Sequence, residues 1–324
     1  MLRTVALSSE EQYPELYELI KKKLAAYGIM CVDAQKNGKR PASILTAEAV
    51  SNNEVDGGIV LSSYGIESSI IGNKFRGVRA SHCTSATTAM LTRQHNDSNL
   101  LCIGAELLGT SKIVDIVDAW IISEFEGGRH SISLKMIKDG EDFQFPSVNT
   151  PWTTASVMHV DSNWPPKVLY IGCDHAGYKA KMAVQEYLGQ REIPFVDIGT
   201  NSEDIVRYPY YAARIAHAVI NEKEAAGILI CGTGIGMSIA ANKYKSIRAA
   251  LCTDTTTAHW ARYELDANIL CAGGNIVGKF ELLDIVSKWL ETSHRHEQND
   301  IIASIDLIDN AQLSYTDWAP STNV

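Results

Sequence analysis

The sequence predicts an α/β protein made of two copies of one doubly wound domain, each a five-stranded parallel sheet flanked by helices. Three observations carry this. Short apolar runs alternate with helical patterns through the C-terminal half, one set of residues recurs at a fixed spacing, and a stretch rich in Pro, Ser, Thr and Trp separates the two halves. The 324 residues suit two domains at about 100–200 residues each. Each half is long enough to bury a core of its own.

The repeat is explicit. A shift of 169 residues carries Asn73-Lys74 onto Asn242-Lys243, Gly65 onto Gly234, Arg79 onto Arg248 and Cys83-Thr84 onto Cys252-Thr253. The same shift carries Arg93, Asp97, Asn99, Gly104, Gly109 and Trp120 onto Arg262, Asp266, Asn268, Gly273, Gly278 and Trp289. A register held without a gap over roughly sixty residues marks a duplication rather than chance identity in apolar strands.

The second copy gives the elements in order. Val168-Leu169-Tyr170-Ile171-Gly172-Cys173 reads as a buried strand, followed by a helical pattern through Tyr187-Leu188. Phe195 to Gly199 reads as a strand and Tyr210 to Ile220 as a helix; Gly227 to Cys231 is the next strand and Ile235 to Asn242 its helix. Arg248 to Cys252 and Asn268 to Cys271 are strands, with helices over Thr255 to Leu265 and Gly278 to Leu290. Such alternation implies a Rossmann-like parallel sheet with helices on both faces. The domains are placed at 1–142 and 167–298, with a linker over 143–166 and a polar tail over 299–324.

Composition narrows the function. The net charge of -9 argues against nucleic acid, whose backbone rewards Lys/Arg stripes. Seven cysteines, an odd number set mostly in apolar runs, suit reduced thiols in a cytoplasmic protein, and no CxxC metal pair occurs. The start of the chain turns acidic by Glu10-Glu11, unlike a signal peptide. No apolar run reaches the roughly 18 residues of a membrane span.

Ligands of doubly wound sheets bind beyond the carboxyl ends of the strands. That rule selects Asp174-His175 and the loop Gly232-Thr233-Gly234-Ile235-Gly236, which links a strand to a helix. The loop offers helix N-terminal N–H groups to an anion, though it has neither the P-loop lysine nor the GxGxxG spacing. Cys231, just before it, is either a base with a pKa lowered by the helix N-terminus or a buried strand-end thiol like Cys252. Asp174-His175 handles substrate hydroxyls or forms an Asx turn with a surface histidine. His95-Asn96 moves protons or ends a solvated helix. Gly127-Gly128-Arg129-His130 caps a helix or holds an anion.

Together these residues resemble the type B ribose-5-phosphate isomerase family, which includes galactose-6-phosphate isomerase. The carrying motifs are Gly172-Cys173-Asp174-His175-Ala176-Gly177, Tyr208-Pro209, Ile230 to Gly236 running on to Ala240-Ala241-Asn242-Lys243, Arg93 to Asn99, and Glu126-Gly127-Gly128-Arg129-His130. The resemblance implies an aldose–ketose isomerase that needs no metal or organic cofactor. Its site lies between two subunits, one giving the Asp-His pair, the cysteine base and the Gly-Thr-Gly loop, the other the ring-opening histidine and asparagine.

The two copies have lost complementary parts. The first has Glu10-Glu11 and Ser62-Ser63-Tyr64-Gly65 in place of Asp174-His175 and the Cys231 loop, yet keeps His95 and Asn96. The second keeps Asp174, His175, Cys231 and Thr233 but has Glu264-Leu265 where His95-Asn96 would fall. The resemblance therefore implies one complete site within an intrachain pseudo-dimer, with further homodimerisation left open. In it His95 opens the furanose ring with Asp174, Cys231 moves the proton through a cis-enediolate, and Thr233 with the N–H groups of 232–236 steadies the oxyanion. His175 and Arg129 hold phosphate; Asn96 and Tyr208 line the substrate.

Two phosphate arginines are missing. Glu106 and Asn275 stand at one position and Ser133 at another, while Arg207 precedes Tyr208-Pro209 where an aspartate is usual. The expected substrate is ribose 5-phosphate. Galactose 6-phosphate, allose 6-phosphate, erythrose 4-phosphate or a non-catalytic sugar-phosphate sensor are the alternatives.

Overall fold

The computed structural model describes residues 2–9, 13–34, 41–144, 164–295 and 300–311. It divides into two compact units, Met1–Leu134 and Lys135–Val324. The division falls upstream of the predicted linker, of which 145–163 lie outside the described residues.

The first unit runs β1 (Thr4–Ser9), α1 (Pro14–Ala26), β2 (Met30–Asp33), α2 (Ala42–Ser51), β3 (Gly57–Ser62), α3 (Ile66–Asn73), β4 (Ala80–His82), α4 (Ala86–Asn96), β5 (Leu100–Gly104) and α5 (Thr110–Ile122). Its sheet is parallel, in the order β2-β1-β3-β5-β4. α6 (Arg129–Gln144) follows. The second unit carries β6 (Val168–Cys173), a 3-10 turn (His175–Gly177), α7 (Tyr178–Gln190), β7 (Val196–Asp197), α8 (Tyr208–Asn221), β8 (Ala225–Cys231), α9 (Ile235–Ala241), β9 (Ala249–Leu251), α10 (Thr255–Tyr263), β10 (Ile269–Gly273), α11 (Lys279–Glu291) and α12 (Asp300–Ala311). Its order, β7-β6-β8-β10-β9, repeats the first, again all parallel.

The central strands are apolar on both faces because helices cover both. In the first unit Val5, Leu7, Ile59, Leu61, Leu101 and Ile103 belong to one buried cluster, and their alternates Ala6, Val60, Leu100 and Cys102 to another. That is the period-two pattern of a doubly covered sheet. The edge strand β7 shrinks to two exposed residues, shorter than its sequence suggested. Its Asp197 is tied to Lys181 of α7 at 2.5 Å instead.

The repeated residues turn out to be structural. Asn73 Nδ2 donates to the carbonyl of Ala80 and its Oδ1 accepts the Ala80 N–H, both at 2.8 Å. Asn242 makes the same two bonds to Ala249, at 2.7 and 2.8 Å. Asp97 pairs with Arg79 and Arg93 at 2.8 and 3.5 Å, and Asp266 with Arg248 and Arg262 at 2.7 and 2.9 Å. Capping boxes at Ser85 and Asp254 start α4 and α10.

The predicted polar tail differs. Its residues 300–311 form α12, with Ile305 fully buried and Asp309 accepting the Ser246 N–H at 2.7 Å. α6 was also not expected. Within the second unit its Ile137 enters the core, and Glu141 pairs with Lys243 at 2.6 Å, both side chains buried. The interleaved charges that disguised both helices are the ones making these contacts.

Candidate functional site

In the second unit β6 and β8 lie side by side, with Cys173 opposite Ile230, so Asp174 and Cys231 emerge at the same sheet edge. Asp174, a candidate site residue, forms an Asx turn. Its Oδ1 accepts the N–H groups of Ala176 and Gly177 at 3.0 and 3.1 Å, which starts the 3-10 turn. Burial pushes its carboxyl up to about 6, against the opposing pull of His175 and of its backbone donors. His175 Nδ1 lies 3.1 Å from the Val206 carbonyl and 3.3 Å from the Val206 N–H, so either tautomer is held. That contact brings the segment leading to Arg207 and Tyr208 beside His175. Tyr208 opens α8 and packs partly against the core.

Cys231 is buried at the end of β8. The chain turns sharply after it: Gly234 has φ +77°, and a Cβ there would meet the Ala272 carbonyl carbon at 2.8 Å. The turn aims the Gly234 N–H at Cys231 Sγ, 3.1 Å away. Thr233 Oγ1 accepts the Ile235 N–H at 3.3 Å. Two corrections follow. The helix N-terminus does not lower the thiol's pKa: burial, aided by the Asp174 charge, pushes it up to about 12, and the N–H groups of Thr233, Gly234 and Met237 only oppose this. Nor are the loop's N–H groups all open to an outside oxyanion. Those of Gly234 and Ile235 are engaged by Cys231 and Thr233, and the Thr233 N–H is also directed to Cys231.

The first unit has the same turn with different chemistry. Ser62 stands at the place of Cys231, and its Oγ accepts the Gly65 N–H at 3.2 Å and the Ser68 hydroxyl at 2.8 Å. Tyr13 donates its hydroxyl to Glu106 Oε1 at 2.9 Å and reaches Ser63 at 3.5 Å. A carboxylate thus stands where an arginine was expected. Glu10 and Glu11 lie outside the described residues.

His95 and Asn96 end α4. Asn96 is buried and its carbonyl accepts Arg79 Nε at 3.1 Å. The His95 ring stacks on His130 with centroids 4.4 Å apart, and both Nε2 atoms lie 3.9 Å from Glu126 Oε2. Burial lowers the His95 pKa, Glu126 raising it and exposed Arg129 lowering it further. The second unit reverses the charges here. Glu264, at the place of His95, pairs with Arg295, at the place of Glu126, at 3.0 Å. The backbone agrees: Glu126 N donates to Gln94 O at 3.0 Å, and Arg295 N to Tyr263 O at 3.2 Å. The sequence marks Glu126 to His130 as a motif but does not join it to His95, because the contact depends on α6, whose helical pattern is weak.

The structure therefore brings together Asp174, His175, Cys231 and the 232–236 loop in one unit, and His95, Asn96 and Arg129 in the other. All seven cysteines are free. Among the described residues no helix is long and apolar enough to cross a membrane.

The ribose/galactose isomerase family model matches residues 5–137 and again 169–305. Ribose-5-phosphate isomerase B of Escherichia coli is 40% identical over 135 residues, 41% of this chain and 91% of that protein. The galactose-6-phosphate isomerase subunit LacB of Clostridium acetobutylicum is 38% identical over 146 residues, covering 44% and 84%. The solved ribose-5-phosphate isomerase B of Clostridium thermocellum is 39% identical with a TM-score of 0.43, covering 44% of this chain and 97% of its own. The two sequence relatives each span less than half of the chain, and the family model matches it twice, as a tandem fusion requires.

Proposed function

The chain belongs to the ribose/galactose isomerase family as a tandem fusion, and we propose that it is an aldose–ketose isomerase of sugar phosphates, ribose 5-phosphate first among them, with one working site drawn from its two unlike halves. One observation supports this most: the halves differ in chemistry at two equivalent places while keeping the same backbone. At one place Cys231 in the second half corresponds to Ser62 in the first, each accepting the N–H of its equivalent glycine, Gly234 and Gly65. At the other the His95–Glu126 pair of the first half corresponds to Glu264–Arg295 in the second. Each half keeps the part the other has lost.

In the proposed reaction His95 gives a proton to the ring oxygen while the Asp174 carboxylate takes the anomeric hydroxyl proton. The ring opens to the aldehyde. Cys231 as thiolate takes the C2 proton, and the electron pair moves through C1 onto O1. Sγ–H returns the proton to C1, and the O2 hydroxyl proton ends on O1. The buried thiol is neutral in the free protein, so its ionisation is coupled to substrate binding. The N–H groups of Thr233, Gly234 and Met237 then solvate the thiolate. Thr233 with the Gly232 and Gly236 N–H groups faces the enediolate oxygens; preorganised donors of this kind are worth about 2.7–4 kcal/mol each. His175 and Arg129 hold the phosphate. The free thiols suit the cytoplasm.

A coupled assay over ribose 5-phosphate, galactose 6-phosphate, allose 6-phosphate and erythrose 4-phosphate tests the reading, with Cys231→Ala as control. Turnover that depends on Cys231 supports it. Binding without turnover on all four would establish the sensor instead.

A further inference from the structure

We propose that His95, Glu126 and His130 form a site for one zinc-like divalent ion per chain, and that the ion, by capturing His95, inhibits the isomerase. The metal is an inhibitor at this site, not a cofactor.

The three side chains offer two imidazole nitrogens and a carboxylate oxygen, all within 4.8 Å of one another. Imidazole and carboxylate suit zinc, which commonly uses three protein ligands and leaves a fourth position open. Ligand atoms around tetrahedral zinc lie about 3.4 Å apart, given Zn–N bonds of about 2.1 Å. Each imidazole Nε2 is already 3.9 Å from the same Glu126 oxygen. The His95 and Glu126 side chains are 33% and 52% exposed, so small rotations that tilt the stacked rings can close the gap.

The backbone presets the ligands. Glu126 is fixed to the end of α4 through the Gln94 carbonyl, and Gly127 and Gly128, at φ +68° and +55°, turn the chain so that α6 begins with His130 one turn from Glu126. The duplication supplies an internal control. The equivalent Glu264–Arg295 pair places a guanidinium where the carboxylate would bind, so this type of site occurs once among the described residues. The neighbouring Arg129 opposes a cation, which favours a tightly coordinating metal over magnesium or calcium.

The binding part stands without the proposed function; the inhibition rests on it, and the test separates them. The full chain, stripped with chelator, is titrated with Co²⁺ followed by its visible spectrum and with Zn²⁺ by calorimetry. The expected result is one ion per chain and affinity lowered at least tenfold by His130→Ala and by Glu126→Gln. Cys231→Ser is expected to bind as the parent does, with no thiolate charge-transfer band at any stage. Circular dichroism confirms that each variant folds. Unchanged affinity in both His130→Ala and Glu126→Gln, or loss of the ion with Cys231→Ser, overturns the site. If binding behaves as expected but Zn²⁺ leaves turnover untouched, the inhibitory role falls.

Discussion

Gly234 donates its backbone N–H to the sulfur of Cys231 at 3.1 Å, from a turn that only the left-handed backbone of glycine allows. The sulfur is thus placed as an anion would be, in a site whose burial keeps it protonated at rest. The first unit holds Ser62 with Gly65 in the same way. Geometry is common to both halves, and chemistry separates them.

Removing each of these two side chains therefore has opposite consequences. Cys231→Ala is expected to lower kcat on the best substrate by at least about a hundredfold, the scale of a lost general base. Ser62→Ala leaves kcat within about twofold, but orphans the Gly65 N–H and the Ser68 hydroxyl and costs about 1–3 kcal/mol by denaturant unfolding. Equal kinetic losses would place chemistry in both halves.

Asp174 sets an acid limit. In the proposed reaction its carboxylate form is needed, and burial pushes the carboxyl up to about 6. kcat/KM, which reports the free enzyme, is expected to fall more steeply with acid below about pH 6 than above it, and to lose that extra steepness in Asp174→Asn. The measurement is a pH profile between 4.5 and 8 with buffers of constant ionic strength.

The same shift bears on stability. The folded carboxyl titrates at about 6, above its unfolded value near 3.8, so the folded state binds more protons between those pH values. Stability from this group is present below about pH 4 and is lost as pH rises through 6. At pH 7 the ionised, buried Asp174 costs roughly 3 kcal/mol. Asp174→Asn keeps an oxygen for the Ala176 and Gly177 N–H groups, so it is expected to raise Tm by several degrees at pH 7 and not at pH 4. A lower Tm at pH 7 contradicts the assignment.

Most of the sheet was legible because both faces are covered: continuous apolar runs such as Gly227 to Cys231 and Asn268 to Cys271 mark central strands. The edge strand at Val196 was read too long, since an exposed edge carries little pattern. α6 and α12 were hidden because their buried faces include Glu141 and Asp309, whose contacts are polar. The placement of Cys231 and Asp174 at one end of adjacent strands is legible from the strand pattern, but the sign of the thiol's shift is not. It depends on how completely β8 and α9 bury the sulfur, which a helix-terminus argument does not contain.

The Lys243–Glu141 pair is buried on both sides, 3% and 5% exposed. Lys243→Met removes the cation paired with buried Glu141 and is expected to cost about 3–5 kcal/mol. The double variant Lys243→Met/Glu141→Leu recovers most of that. Urea unfolding of the singles and the double checks it; additive losses contradict the pairing.

The proposed division of roles between His95 and Cys231 is tested most directly by His95→Gln assayed on two substrates. Ribose 5-phosphate closes to a furanose and needs its ring opened; erythrose 4-phosphate, with O4 esterified, cannot form one. With Cys231 intact, His95→Gln is expected to lose at least about a hundredfold on ribose 5-phosphate and to keep most of the parent's rate on erythrose 4-phosphate, while Cys231→Ala fails on both. A His95→Gln chain that turns over ribose 5-phosphate like the parent contradicts the account.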